Sequence, residues 1–157
     1  MTPTRPGAPV VERAGAGDAD ALTALVHASR AYEGRYASII AGYRVTPAYL
    51  THEQVWKAVE PSSGRLFGFC SLLLGAEPPE LDLAFVADEA QGRGIGRLLL
   101  DHVRGVARAA GHPAIRIVSH PPAEAFYLRV GAERVGTVPA SPPHIPWGRP
   151  ELMLGAG

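Results

Sequence analysis

The sequence contains very little cysteine and lysine. Cys70 is the only cysteine, so the chain forms no internal disulfide, and its apolar neighbours indicate a small buried residue rather than a nucleophile. Lys57 is the only lysine among fifteen basic residues, which are matched by fifteen acidic ones. The resulting formal net charge of zero argues against a constitutive nucleic-acid binder.

Long apolar runs are also missing. No stretch approaches the ~20 apolar residues that a transmembrane helix needs. Residues 1–17 lack the uninterrupted apolar core of a signal peptide. We therefore expect a cytoplasmic protein that has neither a membrane nor a nucleic acid as its partner, and we expect no bound metal.

The length and apolar content are typical of one globular domain. The chain has 157 residues, of which 46% are hydrophobic and 19% are charged. It shows no internal repeat, low-complexity tract or domain boundary, so we expect a single domain over residues 1–157. Residues 1–9 contain three prolines and are expected to form a loose leader.

A glycine-rich turn separates a predicted strand from the longest predicted helix. Residues 81–86 are mostly apolar, which indicates a buried strand, and from Ile95 onward apolar residues recur at helical spacing. The N–H groups that open a helix carry the positive end of its dipole, and glycine lets a ligand approach the backbone. The turn therefore predicts a phosphate site. Its glycines and arginines are Gly92, Gly94, Gly96, Arg93 and Arg97.

Two common phosphate motifs do not match this turn. The dinucleotide fingerprint has glycine at its sixth position, where this sequence has Arg97, and no Gly-Lys-Ser/Thr follows as in a P-loop. The segment Gln91-Gly92-Arg93-Gly94-Ile95-Gly96 instead resembles the Gln/Arg-x-x-Gly-x-Gly/Ala signature of the GCN5-related N-acetyltransferase (GNAT) superfamily. In that family the turn binds the pyrophosphate of acetyl-coenzyme A (acetyl-CoA).

Residues 120–132 resemble a second GNAT pattern, Asn-x-x-Ala-x-x-Phe/Tyr-Tyr-x-x-x-Gly-Phe/Ala. His120 replaces the frequent asparagine. The residue pattern predicts a short helix over residues 122–130 in which Phe126 and Val130 are buried and Tyr127 leaves that face. The matching residues are Ala123, Phe126, Tyr127, Gly131 and Ala132.

The resemblance implies a role for Tyr127 and a path for the acetyl donor. Tyr127 matches the family's general acid, and a phenol with a pKa near ~10 stays protonated at neutral pH. A tyrosine that only packs the helix is the alternative. The resemblance also implies a bulge and a splay at residues 81–86, which would free backbone groups for the donor. The implied donor contacts are Phe85, Val86, Gln91, Gly92, Arg93, Gly94, Ile95, Gly96, Arg97, His120, Ala123 and Phe126.

Several side chains are candidates for the general base, and Glu80 is the first choice. Glu80 aligns with the catalytic glutamate of the histone-acetylating members, and Asp82 shares its strand face because side chains alternate along a strand. Either carboxylate is equally a solvent-facing strand residue. His120 and His144 are further candidates, since histidine titrates near neutrality.

Two segments are candidates for acceptor recognition. Tyr32 and Tyr36 belong to a predicted second helix over residues 32–43, which packs over the acceptor site in the family. The proline-rich segment 139–150 is long enough to be a functional loop, and its candidates are His144, Trp147 and Arg149. Aromatic packing against a core and a stiff loop without a ligand are the alternatives.

The element order predicts an α/β (α+β) fold. Residues 54–59 and 65–74 form a hairpin, residues 81–86 follow, and the long helix crosses over to a parallel strand at 114–118. Residues 132–138 and 151–154 are the last two predicted strands, and residues 10–13 are a short candidate first strand. The resemblance implies a mixed, mainly antiparallel sheet of about seven strands flanked by about four helices.

The predicted function is transfer of an acetyl group from acetyl-CoA to a primary amine, directly within a ternary complex. The amine belongs to a small molecule or to a peptide or protein. A catalytically silent module that binds acyl-CoA as a sensor or scaffold is the alternative, and a nucleotide-binding protein using the same turn is a third. The last two strands and their loop are a candidate homodimer surface.

Overall fold

The computed structural model describes residues 8–143 and 145–157. Seven strands form one sheet in the order β1-β2-β3-β4-β5-β7-β6, which confirms the predicted sheet. The strands are β1 (Val10–Arg13), β2 (Gln54–Val59), β3 (Leu66–Leu73), β4 (Glu80–Val86), β5 (Ala114–Val118), β6 (Glu133–Val138) and β7 (Arg149–Gly155). The α-helices of the described chain are α1 (Ala19–Ala28), α2 (Ala37–Ile40), α3 (Pro47–His52), α4 (Ile95–Ala109) and α5 (Glu124–Arg129).

The sheet separates two hydrophobic layers. Leu99 and Val103 of α4 pack with α5 on one face, and Leu22 of α1 and Leu50 of α3 pack on the other. Helix α4 is amphipathic, with its apolar side on the sheet, as its residue spacing predicts. No helix of the two described segments is long and apolar enough to cross a membrane.

Strands β4 and β5 form the parallel pair of the sheet, and they separate early. Every other neighbouring pair is antiparallel. Only Glu80 with Arg116 and Leu81 with Ile117 are in register between β4 and β5. Beyond Leu81 the two strands diverge, which is the splay that the resemblance implied. The divergence leaves the facing edge of β4 free of strand partners from Asp82 onward.

A β-bulge in β4 lies at the point where the strands divide. Ser71 of β3 pairs with Leu83, but the next residue, Leu72, pairs with Leu81, so Asp82 is the extra residue. Leu81 therefore packs in the α4 layer, whereas Leu83 packs in the α1 layer although it lies only two positions further on. The bulge reverses the alternation of side chains just before the cleft begins.

The prediction of one continuous helix over residues 32–43 is wrong. Arg30–Tyr32 and Gly34–Tyr36 are single 3-10 turns, and the four residues of α2 follow. Gly34 and Gly42 have φ values of +64° and +72°, which end a right-handed helix on either side. The tyrosines of this segment are consequently displayed on irregular backbone, where they contact other loops.

Candidate active site

A cavity of about 880 Å³ lies where β4 and β5 separate. It runs between the end of β4, the start of α4 and helix α5, and it extends to the first residues of β7. All of the predicted donor contacts except Arg93 line it, which brings the two sequence motifs onto one surface. The lining contacts are Phe85, Val86, Gln91, Gly92, Gly94, Ile95, Gly96, Arg97, His120, Ala123 and Phe126.

The three positions of the turn require glycine for different structural reasons. Gly92 and Gly94 have φ values of +76° and +77°, and a Cβ at either position would meet nothing within 4 Å. They are glycines because of the left-handed backbone, and the space beside them is open to a ligand. A Cβ on Gly96 would lie 2.8 Å from the ring of Phe126, so the third glycine allows α5 to approach α4.

The three polar side chains of the turn have different surroundings. The amide of Gln91 donates to the Val86 carbonyl at 3.0 Å and so ties the turn to the end of β4. The Arg93 guanidinium lies 4.8 Å above the Phe67 ring, outside the cavity lining. Arg97 lines the cavity in the first turn of α4, where it adds a formal charge to the positive end of the helix.

Tyr127 is the buried aromatic residue of α5. Only 7% of it is exposed, and burial raises its pKa, with Tyr32 and Cys70 adding to the effect. Its hydroxyl makes no hydrogen bond to any residue that the structure describes. The prediction that Tyr127 leaves the buried face is therefore wrong. The reason is that α5 docks on Gly96 through Phe126, which turns Tyr127 inward to the cavity.

The two carboxylates on β4 have different surroundings. Glu80 lies 3.3 Å from Arg116, whose guanidinium also holds Glu151 at 2.6 Å, and Glu80 does not line the cavity. Asp82 does line it, because the bulge displaces this residue from the ladder at the mouth of the cleft. The geometry favours Asp82 over Glu80 as a group that meets an acceptor.

A tyrosine that sequence reasoning missed is bound to Asp82. The hydroxyl of Tyr49, on α3, lies 2.6 Å from Asp82 and 2.7 Å from Ser71 Oγ. An ionised carboxylate only accepts, so Tyr49 donates to Asp82 and accepts from Ser71, which in turn accepts from the Leu83 N–H at 3.0 Å. Burial, followed by the hydrogen bond to Asp82, raises the Tyr49 pKa, so its proton stays in place.

His120 is fixed by the loop that precedes α2. Its Nε2 lies 2.7 Å from the carbonyl oxygen of Ala31, so this nitrogen carries the hydrogen and donates. Burial lowers the His120 pKa, which favours the neutral ring and leaves the buried Nδ1 as an acceptor that has no partner among residues 8–143 and 145–157. The position that is frequently asparagine in the family is therefore used here to hold a neighbouring loop.

Four rings from three loops form what we call the aromatic cluster: Tyr32, Tyr36, His120 and Trp147. Tyr32 stacks on His120 at 4.0 Å, while Tyr36 meets the edges of His120 at 4.6 Å and Trp147 at 4.9 Å. Tyr32 and His120 line the cavity, and Tyr36 and Trp147 lie behind them. His144, the remaining acceptor candidate, lies outside the described residues.

The comparisons with known proteins identify the family. The family model for the acetyltransferase (GNAT) domain matches residues 44–141, which is more than half of the chain. The chain therefore belongs to the GNAT family. No curated protein matches it in sequence.

Solved structures share the fold at low sequence identity. A GCN5-related N-acetyltransferase from Rhodopseudomonas palustris has a TM-score of 0.81 at 18% identity, covering 98% of this chain and 99% of that one. PaiA N-acetyltransferase from Thermoplasma acidophilum, in complex with coenzyme A, has a TM-score of 0.76 at 17% identity, covering 94% and 99%. Salmonella typhimurium yncA, provisionally an acetyltransferase and solved with its cofactor acetyl-CoA, has a TM-score of 0.68 at 17% identity, covering 96% and 95%.

Proposed function

We propose that this chain is an N-acetyltransferase that moves the acetyl group of acetyl-CoA to a primary amine by direct transfer in a ternary complex. The observation that carries the proposal is the splayed β4–β5 cavity, which is lined by both the glycine turn and Tyr127. The coenzyme A and acetyl-CoA complexes of proteins with the same fold support acetyl-CoA as the cosubstrate. The proposal treats the whole chain as one acyltransferase domain.

The residues of the cavity fit the parts of acetyl-CoA. The open backbone at Gly92 and Gly94, the start of α4 and the Arg97 guanidinium suit the pyrophosphate. The edge of β4 around Phe85 and Val86 has no strand partner on the β5 side, so its backbone groups are available to the pantetheine amides and the thioester oxygen.

The reaction needs one proton removed and one supplied. As the amine nitrogen attacks the thioester carbon, the C–N bond forms, the C–S bond breaks, and the nitrogen loses a proton. Asp82 accepts this proton through the carboxylate oxygen that Tyr49 leaves free. Tyr127, whose raised pKa keeps it protonated, donates its proton to the departing thiolate. Solvent then restores both groups.

A catalytically silent acyl-CoA sensor is the second candidate. His120 stands where the family frequently has asparagine. Its Nε2 hydrogen is donated to the Ala31 carbonyl and is therefore unavailable to a ligand. A sensor, however, has no use for a phenol held at the cleft, so the position of Tyr127 favours the enzyme. Homodimerisation through β6 and β7 stays a prediction.

Calorimetric titration tests the proposal at its first step. We expect saturable binding of acetyl-CoA and no binding of NAD, which serves as the control ligand. Release of free thiol in the presence of an amine panel then separates enzyme from sensor. If acetyl-CoA does not bind, the chain is not an acetyltransferase. If NAD binds instead, the turn belongs to a nucleotide-binding protein.

A further inference from the structure

Four charged side chains of the described residues line the cavity. Arg97 and Arg129 belong to α4 and α5. Asp82 lies at the bulge of β4, where β4 and β5 separate, and Arg149 begins β7, two residues after Trp147 of the aromatic cluster. No other Asp, Glu, Lys or Arg of the described residues lines the cavity. Strands β4 and β7 therefore contribute one negative and one positive charge to it.

Arg149 has no partner in the part of the chain that the structure describes. None of its nitrogens makes a hydrogen bond there, and no carboxylate lies within 4 Å; its Nε is buried and unbonded. Glu151 is two residues away on the same strand, but it is held by Arg116 at 2.6 Å. A buried guanidinium nitrogen without a hydrogen-bond partner is costly, and Arg149 lines the cavity, so this side chain is suited to a ligand.

Trp147 repeats the pattern two residues earlier. Its indole Nε1 is also buried and has no hydrogen-bond partner among the described residues, but Trp147 lies behind the cavity lining. Arg149 does line the cavity, and a guanidinium N–H only donates, so a ligand that satisfies Arg149 must offer acceptor oxygens. A carboxylate offers two oxygens in the spacing of a guanidinium fork.

The backbone holds Arg149 across the cleft from Asp82. Arg149 pairs with Val138 of β6, and the Ser119 N–H donates to the Pro150 carbonyl at 2.9 Å, which fixes the start of β7 beside the end of β5. Asp82 stands on the opposing strand, β4, with one carboxylate oxygen on Tyr49 and the other free. The two charges thus belong to different walls of one cavity.

We infer that the acceptor is an amino acid, whose carboxylate is bound by Arg149 and whose amine is held at Asp82. This inference rests on the proposed acetyltransferase function and names its substrate class. A carboxylate-free monoamine leaves the Arg149 charge unpaired, and a polyamine adds a second positive charge beside it. An amino acid pairs with both charges: its carboxylate binds Arg149, and its nitrogen lies at Asp82, the carboxylate that accepts the proton.

The test compares acceptors that differ only in the carboxylate. The twenty amino acids are assayed by thiol release with acetyl-CoA, each beside its primary amide and its decarboxylated amine. We expect at least one amino acid to exceed its amide and its amine by about 100-fold in kcat/KM, because only the carboxylate pairs with the charged Arg149 guanidinium.

A variant pair assigns this preference to Arg149. In Arg149→Gln the kcat/KM of the preferred amino acid should fall to the level of its amide, while the amide itself changes by less than about threefold. The matched control is Arg44→Gln, an exposed arginine outside this cavity, which should leave both values unchanged. Unchanged acetyl-CoA affinity in both variants shows that the fold is intact.

Three results would overturn the inference, and they separate it from the proposed function. Equal turnover of acids, amides and amines, or turnover of amines alone, contradicts the amino-acid acceptor while the acetyltransferase stands. An undiminished acid preference in Arg149→Gln removes Arg149 from the role. No thiol release with any of the three sets, while another amine of the wider panel does release thiol, removes the inference and leaves the enzyme; no release with any amine, despite acetyl-CoA binding, leaves the sensor.

Discussion

Tyr127 is the residue on which the proposed chemical step depends most directly. In Tyr127→Phe we expect kcat to fall by about 10²–10⁴-fold, because the thiolate then leaves without a proton donor. The affinity for acetyl-CoA should change little, since the ring that fills the cavity floor is retained. Steady-state thiol release and calorimetry measure the two quantities separately, and an unchanged kcat would show that the phenol only packs the helix.

In the proposed mechanism Tyr49 acts through Asp82, which it orients, so Tyr49 is a positioning residue. In Tyr49→Phe the carboxylate loses the hydroxyl that orients it at 2.6 Å. A hydrogen bond to a charged group stabilises by about 1.5–3 kcal/mol, so we expect kcat/KM for the acceptor to fall by about 10-fold or more. The KM for acetyl-CoA should not move, because Tyr49 lies outside the cavity lining.

Tyr43 provides the matched control for Tyr49. It also lies on the α1–α3 side and lines the cavity, but its hydroxyl bonds no residue that the structure describes. Tyr43→Phe should therefore keep kcat/KM within about threefold of the unmodified chain. Equal losses in the two variants would mean that the Tyr49–Asp82 bond has no part in acceptor binding or proton transfer.

Helix α4 offers a comparison between its two ends at the scale of an element. Gly94 is the N-cap residue before the helix, at φ +77°, and Gly111 follows its end at φ +88°; a Cβ on either meets nothing within 4 Å. An alanine in this left-handed conformation costs about 1–2 kcal/mol at each site, so Gly94→Ala and Gly111→Ala should lower the unfolding free energy similarly.

Only the Gly94 end faces the proposed pyrophosphate site. Gly94→Ala should weaken acetyl-CoA binding as well as stability, because its methyl group enters the space that the phosphates need. Gly111→Ala should bind acetyl-CoA normally. Denaturant unfolding and calorimetry on the two variants check this, and equal affinities would place the phosphates elsewhere.

Ligand binding in the cavity should raise the unfolding free energy of the whole chain. The cavity is bounded by β4, α4, α5 and the start of β7, so a ligand there binds the folded chain and not the unfolded one. Acetyl-CoA at about 100 times its Kd should add about 2.7 kcal/mol to the unfolding free energy. For a chain of this size the Tm should rise by about 5–10 °C.

The ligand control for this experiment is NAD at the same concentration, which should leave the Tm unchanged. Tyr127→Phe should show the full shift, because the proposed role of the phenol is chemical. A shift with both ligands, or with neither, would contradict the assignment of the cavity to acetyl-CoA.

The sequence alone predicts most of the strands, the long helix and the glycine-rich turn. Strand β2 matches its predicted bounds, β3, β4 and β6 differ by a residue at their ends, and α4 begins at Ile95 as predicted. These features depend on local physics: side-chain periodicity, helix capping and glycine at positive φ act between residues close together in the chain. The parallel crossover from β4 to β5 also followed, because chain length and handedness leave few alternatives.

Only the tertiary structure decided which polar groups meet in the cavity. Tyr49 and Asp82 are 33 positions apart and His120 and Ala31 are 89 apart, so no local pattern links them. The choice between Glu80 and Asp82 depends on a one-residue bulge and on the distant Arg116. Tyr127 turned inward because Phe126 packs on Gly96 of another helix. Side-chain partners across a sheet are set by packing and register, which the order of residues does not display.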